Sequence, residues 1–189
     1  MQEVQTSGLV LSNESLGELD RRVAVFTEDF GKIKAKIKSG SKPVSKLNGH
    51  LQPGNFVKIR LIHVNGNEND FYQIIEASSY HSFIENASAA ALIESLTCLN
   101  LIENLMPPAM PDPILWDFVL EFDNIEDKRK ELLLKIGFDI DNEKCAACSK
   151  RNPLLFDTIN YYFVCQECNQ LSLSTTNILR AKNQFIKIK

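Results

Sequence analysis

Gly31-Lys32-Ile33-Lys34-Ala35-Lys36-Ile37-Lys38-Ser39 alternates without a break between lysine and a small or branched apolar residue. Successive side chains on a β-strand point to opposite faces. The stretch therefore reads as a strand with Ile33, Ala35 and Ile37 toward a core and the four lysines outside, about 6.6 Å apart. That interval is close to the phosphate spacing along one nucleic-acid strand, and such an array repels itself without a counter-ion.

Four more strands are predicted around it. They are 6–15 (TSGLVLSNES), 22–27 (RVAVFT, running through the turn EDFG into the lysine strand), 55–64 (NFVKIRLIHV) and, after the polar turn NGNEND at 65–70, 71–77 (FYQIIEA). Short strands at this spacing predict a small barrel or sandwich. The 40–54 connection is long and holds Gly40, Pro43, Gly49, Pro53 and Gly54. A long connection inside a compact domain is a candidate functional loop.

The strand at 55–64 repeats the basic logic, with Phe56, Lys58 and Arg60 on one face and Val57, Ile59 and Leu61 on the other. An aromatic among cations suits single-stranded nucleic acid, where bases stack and phosphates pair. With Lys42 and Lys46 in the loop and Arg21 and Arg22 entering the second strand, the candidate contacts are Arg21, Arg22, Lys32, Lys34, Lys36, Lys38, Lys42, Lys46, Phe56, Lys58 and Arg60. For one strand alone, lysines also serve to blunt a sheet edge. Two strands and a loop favour a polyanion partner. Lysines contact backbones, so binding independent of sequence is expected.

Charge is segregated along the 189 residues, whose net charge is only −3. Residues 21–60 carry ten Lys/Arg against two acids, 81–143 four against thirteen, and 144–189 seven against two. A basic block, an acidic block and a basic tail are hidden in a near-neutral total.

From about residue 81 the apolar spacing becomes helical. Phe83/Ile84, Ala87, Ala91/Leu92, Ser95/Leu96, Leu99 and Ile102 predict one helix of about seven turns over 81–106. PPAMPDP at 107–113 ends it, and 114–122 and 126–138 read as two further helices. The expected domains are 1–80 and 81–189, with a metal element at 145–168. No run of 18 apolar residues is present, and the N-terminus MQEVQTSGLV lacks a basic region followed by an apolar run. Neither a membrane span nor a secretory signal is expected, and a reducing cytoplasm is.

In that compartment cysteines serve as metal ligands more often than as disulfides. Cys145-Ala-Ala-Cys148 and Cys165-Gln-Glu-Cys168 form C-x2-C-x16-C-x2-C, the spacing of a four-cysteine zinc site. Four thiolates close a tetrahedral shell, so one structural Zn2+ is expected. Cys98, inside the long helix, reads as a core residue. His50, His63 and His81 are scattered, and there is no H-E-x-x-H, phosphate loop or G-x-S-x-G. No enzyme and no small-molecule substrate is expected.

Read in order, the residues resemble the bacterial RecO family of recombination mediators. The resemblance rests on Gly8-Leu9-Val10-Leu11, on Gly17-Glu18-Leu19-Asp20-Arg21 leading into Val25-Phe26-Thr27, on Gly31-Lys32-Ile33, on Ser45-Lys46-Leu47 and Leu51-Gln52-Pro53, and on Leu132-Leu133-Leu134-Lys135-Ile136-Gly137-Phe138 before the first cysteine pair. It implies an α+β chain with an N-terminal five-stranded OB-fold barrel, a small helical domain and a zinc element. It implies binding of single- and double-stranded DNA, strand annealing, partnership with RecR and with the SSB tail, loading of RecA, and a place at the bacterial nucleoid.

Two features depart from the family. The helical middle is short, and residues 81–143 are acidic. Lys128, Arg129, Lys130 and Lys135, with Arg180 and Lys182, are the candidates left to receive the acidic SSB tail. The expected function is therefore a DNA-repair mediator. The alternatives are an RNA-binding or ribosome-associated module of an OB-fold and a zinc ribbon, and a scaffold whose acidic helices hold a basic partner.

Overall fold

The computed structural model describes residues 3–42, 45–64, 71–85, 87–122, 128–151, 153–158, 160–173 and 185–188. By compactness the chain divides into Met1–Glu126 and Asp127–Lys189.

Five strands build the first unit: β1 (Glu3–Leu16), β2 (Asp20–Thr27), β3 (Gly31–Ile37), β4 (Asn55–Val64) and β5 (Phe71–Ser82). They close a barrel in the order β1-β2-β3-β5-β4. The sequence had left barrel or sandwich open, and two pairings decide it. β1 returns to β4 (Thr6 opposite Ile59, Leu9 opposite Phe56), and β3 meets β5 in a short parallel pairing at Ala35–Tyr72 and Lys36–Gln73. The alternation read in β3 holds. Ile33, Ala35 and Ile37 are buried with Val10, Val23, Val25, Val57, Ile59, Leu61 and Ile74 in the barrel interior. The 40–54 connection contributes α1 (Lys46–His50) and the fully buried Leu51, whose carbonyl accepts from Asn13 Nδ2 at 2.7 Å.

The helical segment differs from its prediction. Residues 81 and 82 continue β5, with Phe56 opposite His81 and Asn55 opposite Ser82. The helix α2 starts only at Ala89 and ends at Leu105, with Ser88 as its N-cap accepting from Ala91 N–H. Strand pairing outweighs the helical periodicity of 81–88, and a serine cap supplies the start signal. α3 follows at Pro113–Leu120, capped by Asp112.

Both helices lie in the barrel's own unit because the barrel has an apolar patch on its outside. Leu9, Phe26 and Phe56 are cross-strand neighbours on that face and are at most 2% exposed. Trp116 of α3 covers them, 6.0 Å from Phe26 and 6.3 Å from Phe56 between ring centroids. Phe83, Phe122 and Phe118 extend the cluster edge to face. At Gly31 the backbone is left-handed (φ 64°), and a Cβ there would stand 2.0 Å from the Met110 carbonyl oxygen. Only glycine lets β3 start against the segment that joins the helices. Trp116→Ala is expected to cost about 3–5 kcal/mol, as large-to-small aromatic core changes do. Denaturant unfolding followed by circular dichroism measures it.

The second unit carries α4 (Lys128–Ile136), β6 (Leu155–Asp157), β7 (Tyr162–Val164), α5 (Gln166–Leu173) and β8 (Phe185–Lys187), with the strands in the order β7-β6-β8. Leu132 and Leu133 of α4 are buried. Gly137 (φ 105°) ends the helix, and Phe138 N–H reaches back to the Leu133 carbonyl at 2.7 Å, a Schellman closure. Phe138 then packs 4.9 Å from Phe156, which packs 5.1 Å from Phe163. Three short strands and one aromatic row make a small core, of the size that natural mini-domains reinforce with a metal.

Candidate nucleic-acid interface and metal centre

The predicted basic residues fall into three groups. The first is exposed: Arg22, Lys34, Lys38, Lys42, Lys46 and Lys58. Among the described residues none of the six forms an ion pair. Arg22 stands opposite Lys36, and Lys34 opposite Ala24, so they share the outer face of the β2–β3 ribbon. Lys38 and Lys42 continue the strip into the loop that leads to α1. Glu14 of β1 stands opposite Arg22 and Asp20 holds Lys36, but the exposed cations outnumber these carboxylates, and that excess of positive charge attracts polyanions.

Cations of the second group are tied to the protein. Lys36 Nζ lies 2.6 Å from Asp20. The hydrogen bond from Lys36, with one from Ser39 N–H, holds the Asp20 carboxyl below its ordinary value. A lowered value means the carboxylate stays charged at neutral pH, and the pair is lost only as pH falls through it. Arg60 is held by Glu76 at 2.7 Å and Glu3 at 3.5 Å. Arg21 donates to the Asn13 side chain and carbonyl, the same asparagine that holds Leu51. Asp20→Asn is expected to release Lys36 for phosphate. It should raise affinity for single-stranded DNA and steepen its log–log salt slope by about 0.7. A salt titration of the variant beside the parent protein measures this.

The third group corrects the sequence reading. Lys32 is 9% exposed and its ammonium donates to the Glu103 carbonyl in the last turn of α2. Burial lowers its pKa. It sits on the same face as Lys34, but α2 covers that end of the strand. There its charge complements a helix C-terminus instead of a phosphate. Phe56, at 2% exposed, is the floor of the Trp116 cluster and presents no open face for a base. Topology also separates the two expected strips. In the sheet order β5 lies between β3 and β4 on one side, and β1 and β2 on the other.

Of the residues named for an acidic partner, Lys128 lies 3.4 Å from Glu131 and Lys130 2.6 Å from Asp141. Arg129 is half-buried and Lys135 exposed on α4. Arg180 and Lys182 lie outside the described residues, as do Pro43 and the turn at 65–70.

The four cysteines converge. Their Sγ atoms all lie within 4.8 Å of one another, and Cys148 and Cys165 are 3.7 Å apart. A tight Cys145–Cys148 knuckle and the first turn of α5, where Asn169 N–H donates to the Cys165 carbonyl at 3.1 Å, bring them there. Ser149 N–H donates to the Cys145 carbonyl with Ser149 left-handed, and Ala146 N–H donates to the Phe163 carbonyl of β7. Burial pushes the Cys145 thiol up, but backbone hydrogen bonds from Cys165, Cys148 and Ala147 outweigh it and hold it at about 6. Hydrogen bonding with the Cys165 and Cys148 sulfurs pushes Cys168 up to about 12. One thiolate forms readily, and the shared cluster then resists a full set. A bound cation removes that conflict, so the donor set fits a four-thiolate metal site.

An OB-fold barrel with an open cationic strip, joined in one chain to a four-cysteine metal-type element, defines the class of the protein. A family model described as Recombination protein O N terminal matches residues 1–83. A DNA repair protein RecO of Dehalococcoides mccartyi is 27% identical over an aligned 214 residues, covering 98% of this chain and 81% of that protein. Another of Bifidobacterium adolescentis is 35% identical over 73 residues, 39% of this chain and 29% of its own. A third, of Desulforudis audaxviator, is 31% identical over 77 residues, 41% and 30% respectively. On these matches the chain is similar to RecO-family proteins, and residues 1–83 match the family's N-terminal domain.

Proposed function

We propose that this chain serves DNA repair and recombination as a non-enzymatic mediator in the bacterial cytoplasm, at the nucleoid. The observation that carries this reading is the set of exposed cations without an ion pair among the described residues: Arg22 and Lys34 on the outer face of the β2–β3 ribbon, and Lys38, Lys42 and Lys46 in the connection that follows and its helix α1. Such barrels bind nucleic acid on one sheet face and adjoining loops. Cations aimed at phosphates lower the repulsion between two strands without reading their bases. Single- and double-stranded DNA are then both ligands, and annealing of complementary strands follows from shared neutralisation.

The barrel strands, about residues 1–80, act as the DNA-binding domain. Residues 81–189 supply the helical and metal-bearing part, with Zn2+ as the ion at Cys145, Cys148, Cys165 and Cys168. Together with RecR, the protein helps replace SSB with RecA. The SSB tail's contact would draw on Lys128, Arg129, Lys130, Lys135, Arg180 and Lys182.

The test is fluorescence anisotropy of a labelled single-stranded oligodeoxynucleotide across a salt series, followed by an annealing assay. Affinity that falls linearly on a log–log plot, with accelerated annealing, supports the reading. No binding at low salt by folded, metal-loaded protein removes it. Preference for structured RNA without annealing replaces it with the RNA-binding alternative.

A further inference from the structure

The β4–β5 ladder carries a bulge. Phe56 stands opposite His81 and Val57 opposite Ser79, which leaves Tyr80 as the extra residue. Bulges re-aim side chains and concentrate near functional sites. Here the bulge places two rings against a buried third. Tyr80 is 53% exposed, with its ring 6.2 Å from Phe56. His81 is exposed and stacks on Phe56 at 5.8 Å and 27°. Phe56 cannot meet a base itself, but Trp116 and Phe83 pack on it and so fix the ring against which Tyr80 and His81 lie.

Beside these residues lies a cavity of about 350 Å³, lined mostly by polar atoms of Gly49, Asn55, Ser79, Tyr80, His81, Ser82 and Glu85. A Cβ at Gly49 would meet nothing within 4 Å, so that wall is open to an incoming group. The floor is fixed. His50 Nδ1 accepts from Ser79 N–H at 3.2 Å and lies 2.9 Å from Ser79 Oγ, which ties α1 to β5. The volume is at the small end of ligand sites, and its mostly polar lining suits the hydrogen-bonding edge of one base, whose face is left to the exposed Tyr80 and His81 beside it. Glu85 at the rim accepts from ring N–H or amino groups and repels phosphate. Lys58 lies two residues from Phe56 on the same face of β4, about 6.6 Å along the strand. It is exposed and, among the described residues, unpaired. It is placed for the phosphate that the cavity rejects.

We propose that the β5 bulge forms a nucleobase site, with one unpaired base against Tyr80 and His81 and its phosphate at Lys58. This rests on the reading that the barrel binds nucleic acid, and it names a contact that the cationic strip cannot make. A base inside a duplex is stacked on both faces and paired at its edge, so the site takes single strands only.

The test compares Tyr80→Ala and Tyr80→Phe with the parent protein on a single-stranded oligodeoxynucleotide carrying 2-aminopurine and on its duplex. Tyr80→Ala is expected to weaken single-strand binding about tenfold, the scale of one lost stacking contact, and to leave duplex binding unchanged. Tyr80→Phe keeps the ring and keeps the affinity. Stacking quenches 2-aminopurine with the parent and with Tyr80→Phe, and less with Tyr80→Ala. Unaltered Trp116 emission confirms that the Phe56 cluster is intact. Equal loss on both DNAs, or no loss on either, overturns the base site. If lysine reversals still abolish binding in that case, the interface reading stands without it. A parent protein that binds neither DNA overturns both.

Discussion

Changing Arg22, Lys34 and Lys38 together to glutamate is expected to weaken single-stranded DNA binding roughly a hundredfold at 0.1 M salt. Each single-strand phosphate contact contributes about 0.7 to the log–log salt slope. Three lost contacts are therefore about two decades between 1 M and 0.1 M. All three side chains are exposed and none pairs with a carboxylate among the described residues, so reversal removes attraction without stranding a buried partner. Lys32→Met is the contrasting variant. It removes the cation that holds the end of α2, so it should lower stability and leave the salt slope as it was. A salt titration with a parallel thermal melt separates the two effects. A triple variant with an unchanged slope would move the DNA path off the β2–β3 ribbon.

Removing metal from the cysteine centre, or replacing Cys145 and Cys165 with serine, is expected to unfold the Asp127–Lys189 unit. Four sulfurs within 4.8 Å of one another repel when ionised, and the apolar core around them is small. Structural zinc in comparable short elements supplies about 10–16 kcal/mol of folding free energy, more than such a core can replace. Metal content by plasma emission should be one ion per chain before chelation. Limited proteolysis after chelation should degrade the second unit and spare the fragment ending near Glu126. A second unit equally resistant after chelation would show that the cysteines are dispensable for folding.

The lysine strand was readable because period-2 alternation is a local property. Seven residues state which side of β3 is inside, whatever the rest of the chain does. The cysteine site was readable for a related reason. A metal shell dictates ligand type and short spacing within each pair, and both are written in the chain. The start of α2 was not. Residues 81–88 satisfy helical spacing, yet the β4 edge offers backbone partners to His81 and Ser82 that a spacing rule does not count.

The same limit explains Lys32 and Phe56. Sequence determined that both lie on the outer face of their strands, and both do. It could not determine that Trp116 and the end of α2, some sixty and seventy residues away, would cover that part of the outside. Which face a side chain takes follows from backbone geometry within a few residues, and the sequence by itself determined that for β3 and β4. Whether that face meets water, a helix or a carboxylate depends on contacts between distant segments. The tertiary structure alone decided it for Lys32, Lys36, Phe56 and Arg60, and placed Tyr80 where a bulge turns it outward.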